Sequence, residues 1–150
     1  MTVSPISDPA LSALYDYWAS KAVGGHVPDR QSLDPTDIPS LLPHIMMLDV
    51  HDDGRRHYAR LVGTGVATGT DPTGTFLQDS APPGPYLDHI TKLFGDAAHS
   101  RQALYTEYEY FHPQIDRPRV AKRLLLPLNR RNDCAQKLMI GQVVTLPPEM

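Results

Sequence analysis

The chain has 150 residues but only one cysteine, few aromatic side chains and no long apolar run. The lone Cys134 excludes an internal disulfide and a zinc site built from four cysteines. No apolar stretch approaches the length of a membrane span, and the first residues lack the basic start and apolar block of a signal peptide. These absences predict a cytoplasmic protein.

A strong charge of either sign is also missing, since the formal net charge is −3 with neutral histidines. A chain without a basic field has no general affinity for nucleic acid or for an anionic membrane, and we expect neither as a partner. Basic residues do gather between 116 and 131, and we interpret them as a solvated turn with outward strand positions. They are Arg117, Arg119, Lys122, Arg123, Arg130 and Arg131.

The length suits one domain with its own core, and the 15 prolines stand mostly at boundaries between elements. We expect a flexible tail at 1–7, a single domain at 8–146 and a short tail at 147–150. No repeat, low-complexity segment or long linker divides the chain further.

Apolar residues at helical spacing predict two long helices, an amphipathic one over 8–23 and another over 86–100. The first opens on an acidic N-cap followed by proline. Residues 34–42 predict a short helix, and the glycine-rich segment 63–76 suits short helical turns. Alternating or apolar runs then predict three strands, at 104–112, 120–128 and 138–146.

Two further β-like runs flank Asp53 and Gly54, a strong tight-turn signal, and predict a hairpin. A two-residue turn places Val50 opposite His57 and puts alternate residues on opposite faces. The predicted core face holds Met46, Leu48, Val50, Ala59 and Leu61. The other face carries Ile45, Met47, Asp49, His51, Arg56, Tyr58, Arg60 and Val62, and it is too apolar to stay bare. The N-terminal helix is the obvious cover for it.

The predicted fold is therefore α+β, a five-stranded antiparallel sheet with helices on one face and an extra N-terminal helix. In this order the sequence resembles the PAS_5 family of single-domain bacterial PAS proteins. The residues that carry the resemblance are Leu14-Tyr15-Asp16-Tyr17-Trp18, Pro28-Asp29-Arg30, Asp34-Pro35, Ile38-Pro39, Leu41-Leu42-Pro43, Leu48-Asp49-Val50, Arg60-Leu61-Val62-Gly63-Thr64, Asp71-Pro72-Thr73-Gly74 and Leu125-Leu126-Pro127-Leu128.

The resemblance implies a non-catalytic sensory or protein-interaction module of a bacterial regulatory system. It implies a homodimer, a separate signalling partner and a small ligand held between sheet and helices. The candidates for lining that ligand space are Leu48, Leu61, Phe76, Ile90, Leu93, Phe94, Tyr108 and Tyr110. The candidates for docking the helix or a second subunit are Leu14, Trp18, Met47 and Tyr58.

No cofactor is clearly encoded. A flavin photoadduct needs a cysteine on a helix, whereas Cys134 falls in a loop between strands. Haem needs an axial ligand, and His89 on the second long helix is the one weak candidate. The histidines flanking the hairpin turn, His51 and His57, point to opposite faces in the predicted register, so no metal site is expected.

Two other readings of the chain stay open at this point. The first is a small cone-shaped α+β enzyme, in which Glu107, Glu109 or a histidine acts as base in a helix-lidded pocket. The second is a scaffold with a filled core and no ligand. A hairpin before the long helix favours the PAS order over the enzyme fold.

Overall fold

The computed structural model describes residues 6–64, 66, 71–81, 83–111 and 118–145. The predicted tails lie almost wholly outside these residues. Among the described residues, no helix is long and apolar enough to cross a membrane. The helices are α1 (Pro9–Lys21), α2 (Leu77–Ser80) and α3 (Pro85–His99), and the strands are β1 (Ile45–His51), β2 (Arg56–Val62), β3 (Leu104–Phe111), β4 (Pro118–Arg131) and β5 (Cys134–Thr145).

The five strands form one antiparallel sheet in the order β2-β1-β5-β4-β3. The first hairpin thus joins the last three strands through β1 and β5, and α3 crosses one face of the sheet. This arrangement confirms the predicted PAS-like α+β fold.

Several boundaries differ from the sequence predictions. Both β4 and β5 extend further towards their shared turn, where Asn132 has a φ of 56°, a backbone region that asparagine tolerates. The helix predicted at 34–42 is instead two 3-10 segments, Pro35–Asp37 and Pro39–His44. A proline inside the second segment cannot donate the bond that an α-helix would need there. The described part of 63–76 forms turns rather than helix.

Counted from the turn, the predicted hairpin register is correct as far as Leu48, which lies opposite Ala59. It is wrong for the residues of β1 and β2 that lie further from the turn. Arg60 is an extra residue in β2, so Met47 pairs with Leu61 rather than with Arg60. A β-bulge of this kind reverses the facing of every later residue. Leu61 therefore lies on the outer side, 45% exposed, and Val62 packs against the inner core.

Two apolar cores lie on opposite faces of the sheet. The inner core lies beneath α3 and includes Leu48, Ile90 and Phe94. The outer core lies beneath α1, whose Leu14 and Trp18 are buried against β1, β4 and β5. The indole Nε1 of Trp18 donates to a backbone carbonyl of β4 at 3.0 Å. The N-terminal helix thus covers the outer face of its own chain.

A hydrogen-bonded group fastens β2 to both inner helices. The Gln78 side chain of α2 accepts the His57 backbone N–H at 2.9 Å, and its Nε2 lies 3.0 Å from His57 Nδ1. The same Nε2 donates to the Thr91 hydroxyl of α3 at 3.2 Å. Since an amide nitrogen only donates, His57 Nδ1 accepts and Nε2 carries the ring proton. Burial lowers the pKa of His57 to about 4, so the ring is neutral.

Candidate functional site

A row of polar side chains crosses the inner face of the sheet where an apolar core would be expected. Thr106 of β3 lies opposite Arg123 of β4, and Arg123 lies opposite Gln142 of β5. Directly opposed residues on one face have their Cβ atoms about 5 Å apart, so the three side chains are neighbours. Arg123 is only 1% exposed and Gln142 only 6%. Three adjacent strands therefore place a guanidinium inside the domain.

Arg123 is only partly satisfied in this position. Its Nε donates to Gln142 Oε1 at 2.9 Å, and its Nη2 donates to the Tyr86 hydroxyl of α3 at 2.6 Å. Its Nη1 is buried and has no hydrogen-bond partner in the part of the chain that the structure describes. Among the described residues, no carboxylate forms an ion pair with it. A buried cation without an anion is costly, and an unpaired buried N–H adds to that cost.

Aromatic rings from α3 and β3 lie beside this row. Tyr86 packs on Tyr110 with ring centroids 4.9 Å apart, and the guanidinium carbon of Arg123 lies 5.7 Å from the Tyr86 ring centroid. His89, one helical turn further on, stacks on Tyr108 at 3.6 Å. Thr106 Oγ1 and His89 Nε2 are both buried and lack hydrogen-bond partners within the described ranges. Three unpartnered polar atoms thus surround one region between β3, β4 and α3.

The electrostatics of the region are those of a positive centre out of water. Burial lowers the pKa of His89, and the nearby Arg123 cation lowers it further. Burial and the neighbouring Tyr86 raise the pKa of Tyr110, while Arg123 opposes that rise. The Tyr110 hydroxyl and the His89 imidazole are therefore neutral near pH 7. Neutral hydrogen-bonding groups around one cation are suited to bind an anion.

The structure gathers some of the predicted ligand-space residues and separates others. The inner core and its border contain Leu48, Ile90, Leu93 and Phe94, and Tyr108 and Tyr110 follow Thr106 on the same face of β3. Two predicted members are elsewhere. The bulge turns Leu61 to the outer face, where it lines a groove with Met47. Phe76 packs on His51 and Tyr58, which also belong to the outer face. The space predicted near Phe94 and Tyr108 remains a prediction.

The predicted docking residues divide in a similar way. Leu14, Trp18 and Met47 meet in the outer core, so the apolar side of α1 is already covered within the chain. Tyr58 does not join them. It contacts Phe76 with ring centroids 5.2 Å apart, and the Arg60 guanidinium lies 5.2 Å from its ring centroid.

The two glutamates considered as catalytic bases, Glu107 and Glu109, do not lie in the region around the polar row. Glu107 and Glu109 are both exposed. Glu107 accepts from the Tyr105 hydroxyl at 2.7 Å, and that hydrogen bond lowers the pKa of Glu107. A general acid or base near neutral pH needs the opposite shift. This geometry does not favour acid–base catalysis by the pair.

Besides the polar row, the structure has a groove between α1, the 3-10 segments and the outer face of β1 and β2. Its lining is almost wholly apolar, and its volume of about 30 Å³ has room for only one or two water molecules. Asp53, His99 and Cys134 form a cluster of side chains of the types that bind metals, with one possible ligand atom of each within 4.8 Å of the others. Both ring nitrogens of His99 already bond to backbone carbonyls there.

The polar row was not predicted from the sequence, and the predicted position of its central residue was wrong. Arg123 was assigned to an outward basic group, yet it points inward between Ala121 and Leu125, which share its face. A signal for this was present, because period-2 alternation assigns Arg123 to the same face as Leu125. Thr106 and Gln142 carried no comparable signal, since their importance comes from pairing with β4.

Comparison with known proteins agrees with the fold. Residues 6–72 match the PAS_5 family, described as a PAS domain, and this supports a PAS domain in the chain. The match contains α1 and the first hairpin, a little less than half of the sequence. The polar row lies outside it, on β3, β4 and β5. No curated protein and no solved structure matches the chain.

Proposed function

We propose that the chain is a non-catalytic sensory module that binds a small ligand between the inner face of its sheet and α3. The observation that carries the proposal is the group of three unpartnered buried atoms on Thr106, His89 and Arg123. Buried polar atoms in native proteins nearly always have partners. A bound molecule at this point would supply them, and the resemblance to PAS domains implies a ligand between sheet and helices.

The proposal extends to how a signal leaves the domain. A ligand changes output only if it binds two arrangements of the protein with different affinity. We infer a homodimer and a separate regulatory protein of a bacterial system as recipients, with the whole domain at 8–146 acting in the cytoplasm. Because Leu14 and Trp18 are buried in their own chain, the subunit contact would use surfaces other than the apolar side of α1.

Native mass spectrometry of freshly purified protein tests both parts, since it reports bound ligand and oligomeric state together. We expect an added mass of a few hundred daltons or less that disappears on denaturation. Thr106→Leu, which enlarges the side chain at this point and removes the hydroxyl, should abolish that mass. Glu107→Leu is the matched control, because Glu107 is the next residue of β3 and is exposed on the other face.

Two outcomes would contradict the proposal. Protein that carries no extra mass, and gains none from a cell extract, would leave the inner space without a ligand. Equal retention of the mass in Thr106→Leu and Glu107→Leu would place the ligand elsewhere.

A further inference from the structure

We propose that the ligand is the carboxylate of a small organic acid, and that Arg123 is its principal partner. The inference rests on the proposed function and names the chemical class that the site accepts. It follows from the charge, the free hydrogen-bond donors and the aromatic walls of the region around β3, β4 and α3.

The Arg123 guanidinium is a cation that is only 1% exposed and has no ion pair with any described carboxylate. Taking a charge out of water costs several kcal/mol unless an opposite charge accompanies it. A single negative charge balances this one cation. A phosphate dianion would instead leave a second charge buried without a partner, so a monoanion fits better.

The donor geometry selects among monoanions. Two N–H groups on Arg123 Nη1 meet no acceptor, because the bonds to Gln142 and Tyr86 use Nε and Nη2. A guanidinium edge that matches the two oxygens of a carboxylate takes one N–H from each of two nitrogens, here Nη1 and the second N–H of Nη2 beside its bond to Tyr86. The Thr106 hydroxyl lies on the neighbouring strand directly opposite Arg123 and can donate to one of those oxygens. The buried Nε2 of His89 offers a further contact from α3.

The walls of the region define what is attached to the carboxylate. Tyr86, Tyr108 and Tyr110 present ring faces and edges, and the Tyr108 and Tyr110 rings are stacked 6.2 Å apart. Rings of this kind pack against carbon. A short aliphatic or aromatic acid would place its carboxylate on Arg123 and its carbon part against the tyrosines. An inorganic oxyanion has no carbon part and would leave those contacts unmade.

The test is thermal unfolding of the full chain with formate, acetate, propionate, butyrate and benzoate. Chloride balances the ionic strength, and nitrate and phosphate are the inorganic arms. We expect at least one carboxylate to raise Tm along a saturable curve, by about 5 °C or more at a hundredfold excess over Kd. Arg123→Met should abolish the rise. Arg131→Met, an exposed arginine at the end of the same strand, should leave it unchanged.

A second variant and a second readout keep the test independent of how Arg123→Met folds. Thr106→Val keeps the side-chain shape, and we expect it to weaken carboxylate binding about 5-fold. The imidazole resonances of His89 should move with the same saturation curve in the wild-type protein.

The outcomes separate this inference from the function on which it rests. Absence of any saturable rise, or an equal rise with nitrate, would overturn the carboxylate assignment. A ligand that native mass spectrometry finds retained in Arg123→Met would overturn it too, while leaving the sensory module in place. If neither a carboxylate nor any copurified molecule binds, both proposals fail together.

Discussion

Stability below pH 7 should depend on one buried histidine, His57. The ring is fully inaccessible, packs edge-on against Phe94 with centroids 5.6 Å apart, and accepts a hydrogen bond from Gln78. Burial lowers its pKa from 6.5 to about 4. The unfolded chain therefore takes up a proton as pH falls through 6.5, whereas the folded chain does not until about pH 4. Stability from the neutral ring is complete above pH 6.5 and is lost below it.

The size of the loss follows from the two pKa values. Integrating the proton uptake between pH 7 and pH 5 gives a decrease in the free energy of unfolding of about 2 kcal/mol. Below pH 4 the decrease levels off at about 3 kcal/mol. Such a loss is a large part of the stability of an ordinary domain, which is about 5–15 kcal/mol. His57 should thus be a principal source of acid sensitivity.

The assay is urea unfolding at pH 5, 6 and 7 for the wild-type chain and for His57→Asn. The asparagine amide oxygen takes the place of Nδ1 and can still accept from Gln78, but the side chain does not titrate. The variant should be less stable than the wild type at pH 7, and its decrease towards pH 5 should be about 2 kcal/mol smaller, so the difference between the two proteins narrows as pH falls. His26→Asn, at an exposed loop position, is the control. Parallel pH curves for wild type and His57→Asn would refute the reasoning.

Three other substitutions test separate parts of the fold. Trp18→Phe removes the indole donor to the Pro127 carbonyl and should lower the free energy of unfolding in urea by about 2 kcal/mol. The molecular mass measured by light scattering should stay the same. A changed mass would mean that α1 docks on a second subunit. Gly63→Ala would bring its Cβ into a clash with the Pro43 carbonyl oxygen and should lower the free energy of unfolding by about 2 kcal/mol or more. An unchanged melting temperature would contradict this close approach of the two backbone segments. His99 bonds two backbone carbonyls through its ring nitrogens, which raises its pKa, so the stabilisation is present below pH 6.5 and lost as pH rises. The stability difference between wild type and His99→Asn should shrink towards pH 9, and a constant difference would count against a protonated ring.

The parts of the fold that were predictable are those set by local pattern. Helical spacing located α1 and α3, and the Asp53-Gly54 signal located the hairpin. The register failed only at Arg60, because a bulge depends on what surrounds the strand. The Arg60 side chain forms an ion pair with Asp49, and the same bulge turns Val62 inward. Strict alternation along the strand cannot predict either result.

The candidate site was less predictable than the fold because it is made by pairing between distant strands. Thr106, Arg123 and Gln142 are far apart in the sequence, and each has an ordinary neighbourhood there. Their chemistry arises when β4 lies between β3 and β5, which puts one guanidinium among neutral partners. A sequence can show that Arg123 interrupts an apolar strand face. It takes the strand order to show that no described carboxylate meets it.

The position of Arg123 also bears on how binding could reach the outside of the domain. On β4, Arg123 points to the inner face, and its neighbour Leu124 points to the outer core beneath α1. Leu124 lies opposite Gly141 on β5, where an added Cβ would fall within 2.8 Å of the Leu11 and Leu14 methyl groups. The helix thus packs against the same strand pair that holds the guanidinium. Because close-packed interiors transmit small displacements, an anion that draws Arg123 towards α3 would change the support of α1 through one strand. Ligand binding at the inner face would then change the packing of α1 on the outer face.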